Sequence, residues 1–229
     1  MAVRLVSYTK PTEDFVQEGM RNNDLLDLVA YCARVSNPSN QMNSETSEKL
    51  VKYLIKHAHW SPLEMVNACM EIDTTRDIAH QIVRHRSFAF QEFSQRYADP
   101  ASMGDQFTLR EARLQDPKNR QNSIALGTTQ EEMNLINDWE SQQQKVIDAA
   151  KEAYEWAISN GIAKEQARAV LPEGCTKTRL YMNGSLRSWI HYIELRGANG
   201  TQQEHMDIAH KCAKVIADIF PLSEELKGA

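Results

Sequence analysis

A chain of 229 residues with 41% apolar and 25% charged residues can bury a substantial core and lacks the composition of a disordered protein. Its net charge of −5 excludes non-specific attachment to nucleic acid, so any anion site must come from a local concentration of arginines. No apolar run approaches the length that crosses a bilayer, and no membrane partner is expected.

Taken in order, MAVRLVSYTKP predicts a first strand rather than a signal peptide. Leu25, Leu28, Val29 and Cys32 predict an amphipathic helix over 24–35, opened by Asn23 or Asp24. Leu50, Val51, Leu54, Ile55 and Ala58 predict another over 47–58. The period then changes: Val66, Ala68, Met70 and Ile72 alternate with Asn67, Cys69 and Glu71, as in a half-buried strand. Thr74 to Asp77 has capping-box spacing, with a helix from there to about His85. The stretch 98–130 is polar and without sustained period, a long loop expected to cover a site or a subunit interface. A helix over 133–158 should bury Val146, Ala149, Ala150, Ala153 and Ala157 and stop at Asn160-Gly161. A short helix before Pro172, a strand over 176–182 and helices over 185–196 and 202–219 complete the chain. This is α+β: a helix-rich single domain, residues 1–229, around a central mixed or antiparallel sheet.

Cys32, Cys69, Cys175 and Cys212 show no ligand spacing, which favours free thiols in a reducing, cytoplasmic compartment. No histidine pair has the spacing of a zinc helix, and no metal is expected. No Gly-x-Gly-x-x-Gly or P-loop is present, so a Rossmann or P-loop phosphate site is excluded at the level of motif.

The densest chemistry lies in RHRSFAFQEFSQRY, residues 84–97. Gln81, Arg84 and His85 share a helical face, and Glu92, Ser94 and Arg96 point to one side if the chain is extended. Guanidinium forks bind phosphate or carboxylate bidentately, and an amide reads a nucleobase edge or a sugar hydroxyl. By composition alone, an anion site and a solvated, salt-bridged face are equally open. Ser94 lacks an identifiable base and oxyanion hole, so it reads as a hydrogen-bonding group rather than a nucleophile.

Arg84-His85-Arg86, seven residues, then Ser94, with Glu92 and Arg96, resembles the signature of the flavin-dependent thymidylate synthases. Gln91 stands where many members have asparagine, and Gln95 where some have glycine. The resemblance extends through Ala33-Arg34-Val35-Ser36, His59-Trp60-Ser61-Pro62-Leu63-Glu64, Arg168, Ser185-Leu186-Arg187, His191 and Arg196. Singly, His59 reads as a cap, Ser61-Pro62 as a turn, Arg187, His191 and Glu194 as a surface face, and Arg196 as a helix-end cation. Their joint order and spacing carries the likeness.

The resemblance implies reductive methylation of dUMP to dTMP, with 5,10-methylenetetrahydrofolate as carbon donor and NADPH reducing bound FAD. It assigns dUMP to Gln81, Arg84, Glu92, Ser94, Gln95, Arg96, Arg168 and Arg196, with Arg196 stabilising charge on the pyrimidine. It assigns FAD to Ser61, Arg84, His85, Arg86, Glu92, Ser185, Arg187 and His191; at 185 the family commonly has asparagine. It also implies a homotetramer with shared active sites. No cysteine lies in the motif, which argues against thiol attack on the pyrimidine. A non-catalytic nucleotide or phosphate sensor using the same arginines is the alternative.

Overall fold

In a computed structural model of the chain, which describes residues 1–17 and 25–220, the alternating segment around Met70 becomes an inner strand of an antiparallel sheet. The described strands are β1 (Ala2–Tyr8), β2 (Asn67–Thr75), β3 (Ala89–Glu92), β4 (Arg113–Gln115), β5 (Ser123–Ala125) and β6 (Lys177–Ser185). The main sheet has the order β1-β2-β6-β3, each pair antiparallel, while β4 and β5 form a separate ribbon. Met70 stands opposite Met182 and Ile72 opposite Leu180, all four fully buried, so one face of the sheet is core. The other face carries charge: Glu71 accepts from Arg4 at 2.7 Å and from the Tyr181 hydroxyl at 2.9 Å, and Arg179 donates to Asp73 at 2.7 Å.

The helices are α1 (Glu13–Gln17), α2 (Leu25–Ala33), α3 (Ser47–Lys56), α4 (Arg76–Ile82), α5 (Gln130–Ser159), α6 (Lys164–Ala167), α7 (Leu186–Gly197) and α8 (Gln203–Ile219). Leu25, Val29, Val51, Ile78, Ile82, Trp189, Ile193, Ile208 and Ile216 close over the apolar face of the sheet. Trp189 is fully buried and donates from Nε1 to the Ala68 carbonyl at 3.0 Å, which pins α7 to β2. Among the described residues, no helix is long and apolar enough to cross a membrane.

Several local expectations are corrected. Residues Asn23 and Asp24, expected to open the second helix, lie outside the described residues. Thr75 is the N-cap of α4, yet its side chain makes no cap bond; the hydroxyl donates to Asp77 Oδ1 at 2.6 Å instead. The capping box belongs to α5, where Thr129 Oγ1 accepts from the Glu132 N–H and Glu132 Oε2 accepts from the Thr129 N–H. That helix buries Gln143, Ile147, Ala150, Tyr154 and Ala157, and Val146 is 54% exposed. Of the face expected to be buried, Ala150 and Ala157 are, while Ala149 is exposed and Ala153 half-buried; Gln143, Ile147 and Tyr154 shift the buried stripe to one side.

Gln143 bonds to the polar stretch, which is not an open loop. Besides the β4–β5 ribbon, it inserts Arg110 among three helices. The Arg110 N–H donates to Gln143 Oε1 at 2.7 Å, and its Nε to the Gly174 carbonyl at 2.9 Å. Its Nη2 pairs with Asp77 of α4 at 2.5 Å, and Nη1 with Glu204 of α8 at 3.1 Å. These pairs are largely removed from solvent, where a lost partner costs more than at the surface.

Candidate active site

The strand β2 runs directly into α4, and β6 into α7; because the two strands are antiparallel, these turns lie at opposite ends of the sheet, Thr75 opposite Lys177 and Ser185 opposite Asn67. The two helices start from opposite ends, and the end of α4 meets the C-terminal half of α7 through His85 and Arg196. His85 follows α4, and its Nε2 accepts from Nε of Arg196 at 2.9 Å. An arginine Nε–H can only donate, so His85 Nε2 carries no proton here. Burial, then the charge of Arg196, pushes the His85 imidazole down to about 4, consistent with a neutral ring. Tyr192 packs edge-on against His85 with centroids 4.9 Å apart. Gln81, one turn before His85, accepts from His205 Nδ1 at 3.3 Å and donates to Gln202 Oε1 at 2.8 Å. Gln81, His85 and Arg196 are thus brought into one cluster.

The segment after α4 is anchored by an aromatic side chain. Phe88 packs against Trp189 and Tyr192, with centroids 4.8 and 5.9 Å apart, and covers Gly184, whose missing Cβ makes the approach possible. Just ahead of that anchor in the chain, Arg84 and Arg86 are exposed, and among the described residues no hydrogen bond or ion pair engages their guanidinium groups. Glu92 ends β3, accepts from the Thr178 hydroxyl at 3.0 Å and pairs with Arg76 at 3.4 Å.

The chain does not stay extended beyond Glu92. The Ser94 carbonyl accepts from the N–H groups of Tyr97 and Ala98, a turn that separates Ser94 from Arg96. Gln95 is buried with its amide nitrogen unpaired. Arg96 pairs with the Glu165 carboxylate at 3.4 Å, and Arg168 donates to the Glu165 carbonyl at 3.4 Å. Among the described residues, no hydrogen bond or ion pair joins Arg96 or Arg168 to Gln81 or Arg196. By their direct bonds, Arg96 and Arg168 belong with Glu165, and Gln81 belongs with Gln202 and His205.

A third group gathers residues expected around the flavin. Ser61 is exposed at the first position of the 3-10 helix Ser61–Met65. Arg187 Nη1 donates to Glu64 Oε1 at 2.6 Å, and His191 meets Trp60 edge-on at 4.6 Å. Hydrogen bonds from Ser185 and Arg187 hold the Glu64 carboxyl below its ordinary range. Ser185 is buried as the N-cap of α7, its oxygen accepting from the Ser188 N–H at 3.3 Å. Its hydroxyl is thus engaged within the protein, whereas Arg187 remains partly exposed. His59 is exposed, and its backbone N–H donates to the Leu54 carbonyl at 2.8 Å after Ala58 at φ 54°.

Tyr192, Gln202, Glu204 and His205 join this cluster without any motif to mark them. Tyr192 and Glu204 carry a helical-face signal at most; nothing local distinguishes His205 from a satisfied core histidine.

Residues 20–222 match the family model described as thymidylate synthase complementing protein. A probable flavin-dependent thymidylate synthase of Paramecium bursaria Chlorella virus 1 is 48% identical over 221 residues, spanning 96% of this chain and 96% of the relative. A flavin-dependent thymidylate synthase of Synechocystis sp. is 44% identical over 227 residues, again with 96% of each covered. The fold matches that of a UMP/dUMP methylase, PolB, from Streptomyces cacaoi, solved bound with 5-Br dUMP. That match has a TM-score of 0.75 at 22% identity and covers 98% of this chain and 93% of the other. The α+β sheet framework is thus that of a known enzyme fold, and the chain belongs to the flavin-dependent thymidylate synthase family.

Proposed function

We propose that this chain is an FAD-dependent methyltransferase that converts dUMP to dTMP, taking the carbon from 5,10-methylenetetrahydrofolate and reducing equivalents from NADPH. The observation that carries the reading is the cluster of Gln81, His85 and Arg196, with the unpaired Arg84 beside it. His85 occupies the Nε of Arg196, which leaves the paired terminal nitrogens of that guanidinium for a ligand. A permanent cation so oriented suits the negative, enolate-like charge that makes a pyrimidine carbon nucleophilic toward the one-carbon unit. Gln81 and Arg84 would bind the nucleotide's sugar and phosphate from the same side.

Arg84, Arg86 and Arg187 suit the diphosphate of FAD: two have unpaired guanidinium groups, and the third is oriented by Glu64 while remaining partly exposed. Ser61, His85, Glu92 and His191 complete the proposed flavin set, with Ser185, expected in it, acting from behind through Glu64 and the start of α7. When bound, the flavin supplies the electrons of the reductive methylation. The chain's own contribution is positioning and electrostatic stabilisation.

Glu92, Ser94, Gln95, Arg96 and Arg168 complete the proposed dUMP set. Arg96 and Arg168 share Glu165 and make no direct bond to Gln81 or Arg196 among the described residues, which fits a homotetramer in which one subunit's Arg96 and Arg168 face another subunit's Gln81 and Arg196. Free thiols at all four cysteines suit a cytoplasmic setting. The deciding experiment is anaerobic incubation of the flavin-loaded protein with dUMP, NADPH and methylenetetrahydrofolate. Formation of dTMP is expected; no dTMP, and no flavin oxidation requiring both substrates, would leave the nucleotide-sensor reading.

A further inference from the structure

Gln81 is one link in a hydrogen-bond chain that runs from a carboxylate through the protein to a buried phenol. Burial works against ionisation of Glu204. Its own backbone N–H, the charge of Arg110, and the side chains of Gln202 and Arg110 outweigh this and hold the carboxyl below its ordinary range. An ionised carboxylate only accepts, so Gln202 must donate to Glu204 from Nε2, at 2.9 Å. That turns Gln202 Oε1 toward Gln81, which must therefore donate from its own Nε2, at 2.8 Å. The Gln81 oxygen is left facing Nδ1 of His205 at 3.3 Å, so Nδ1 must carry the proton. His205 Nε2 is then bare and accepts from the Tyr192 hydroxyl at 3.1 Å. Burial raises the Tyr192 phenol well above its ordinary range, so this last donor keeps its proton. Each step in the polarity follows from the one before.

The amide of Gln81 is thereby oriented. His205 is 0% exposed, so the Gln81 oxygen points inward, while Gln202 is at the surface, so the nitrogen points outward. We infer that His205 is a positioning residue: its Nδ1–H, donated to the Gln81 oxygen, holds the amide in the orientation set by Glu204 and Gln202, so that Gln81 offers an N–H donor rather than a carbonyl to the nucleotide. The inference rests on the reading that Gln81 contacts dUMP. Its chemical consequence is that the ligand atom facing Gln81 is an acceptor, such as a pyrimidine carbonyl or ribose oxygen.

The test is titration of the flavin-loaded protein with dUMP. His205→Leu removes the donor and should weaken dUMP binding about tenfold, with flavin content unchanged. His205→Asn places an amide N–H where Nδ1–H stood and should recover affinity to within about threefold of wild type. A merely structural role would lower thermal stability in both variants without separating them in dUMP affinity. Asparagine binding no better than leucine, or both binding as wild type, overturns the inference.

Gln81→Ala is measured alongside. If it too leaves dUMP affinity unchanged, the placement of dUMP at Gln81 is what fails. If it weakens binding while His205→Leu does not, only the positioning role fails. Should His205→Leu not fold, the imidazole nitrogen resonances of the wild-type protein decide: an Nδ1-protonated His205 is required, and the Nε2 tautomer overturns the inference.

Discussion

The Arg196 guanidinium donates from Nε to Nε2 of His85 at 2.9 Å, so a permanent cation is held by a ring that must stay neutral. Burial, with the charge of Arg196 second, pushes His85 down to about 4; burial, Arg196 and His85 push His205 to about 3. A histidine in the unfolded chain titrates near 6.5. Below that pH the unfolded state therefore binds more protons than the folded one. The stability these rings contribute is full above about pH 6.5 and is lost as the pH falls toward about 4 for His85 and about 3 for His205. Thermal melts from pH 7 to 5 should show a falling midpoint, with uptake of about one to two protons on unfolding. A flat profile would contradict a neutral pair.

Arg196 should matter to turnover far more than to folding or flavin retention. Arg196→Ala leaves the Arg187–Glu64 and Trp60–His191 contacts intact. The expected result is flavin content near wild type with kcat reduced on the order of 10² to 10³, the usual effect of removing an electrostatic stabiliser. Flavin-loaded protein with unchanged turnover would take Arg196 out of the chemistry.

Two inactive variants should rescue each other if the nucleotide site is shared between subunits. Arg168→Ala damages one of the two groups and Arg196→Ala the other. Mixed oligomers formed by co-expression would then contain some sites damaged twice and some intact. Activity well above either parent is expected, and additive residual activity would place both residues in one chain's own site.

Gly184→Ala should disturb the arginine segment from beneath. A Cβ at Gly184 would stand 2.4 Å from Cδ1 of Phe88, too close for the ring to remain. Overpacking of this kind costs about 1–3 kcal/mol. Because Phe88 anchors the chain between Arg86 and β3, flavin occupancy should fall together with the denaturation midpoint. Wild-type values for both would show that the ring has room to move.

How much of this was legible depended on distance along the chain. The alternation at Met70 and Ile72 described the core face of β2, because in a strand the pattern is the geometry. Gln81 and His85 were readable as neighbours through helical spacing, although α4 ends before His85. Glu92, Ser94 and Arg96 were not readable as a row, since a turn follows β3 and no strong turn residue announces it. His205 lies 124 positions from Gln81, and no local pattern can reveal a pairing made only by the packing of α8. The buried face of α5 is legible only in part: Ala150 and Ala157 lie on it, but small side chains fit either way, and one tyrosine and one glutamine shift it off Val146 and Ala149.

Arg110 gives the polar stretch between residues 98 and 130 a reach that its composition conceals. It grips Asp77 at the start of α4 and Glu204 at the start of α8, the two helices that carry Gln81 and His205. A cut or deletion in that stretch would act as a loosened bolt does on a distant hinge. The nucleotide contacts would lose their alignment without any of them being altered.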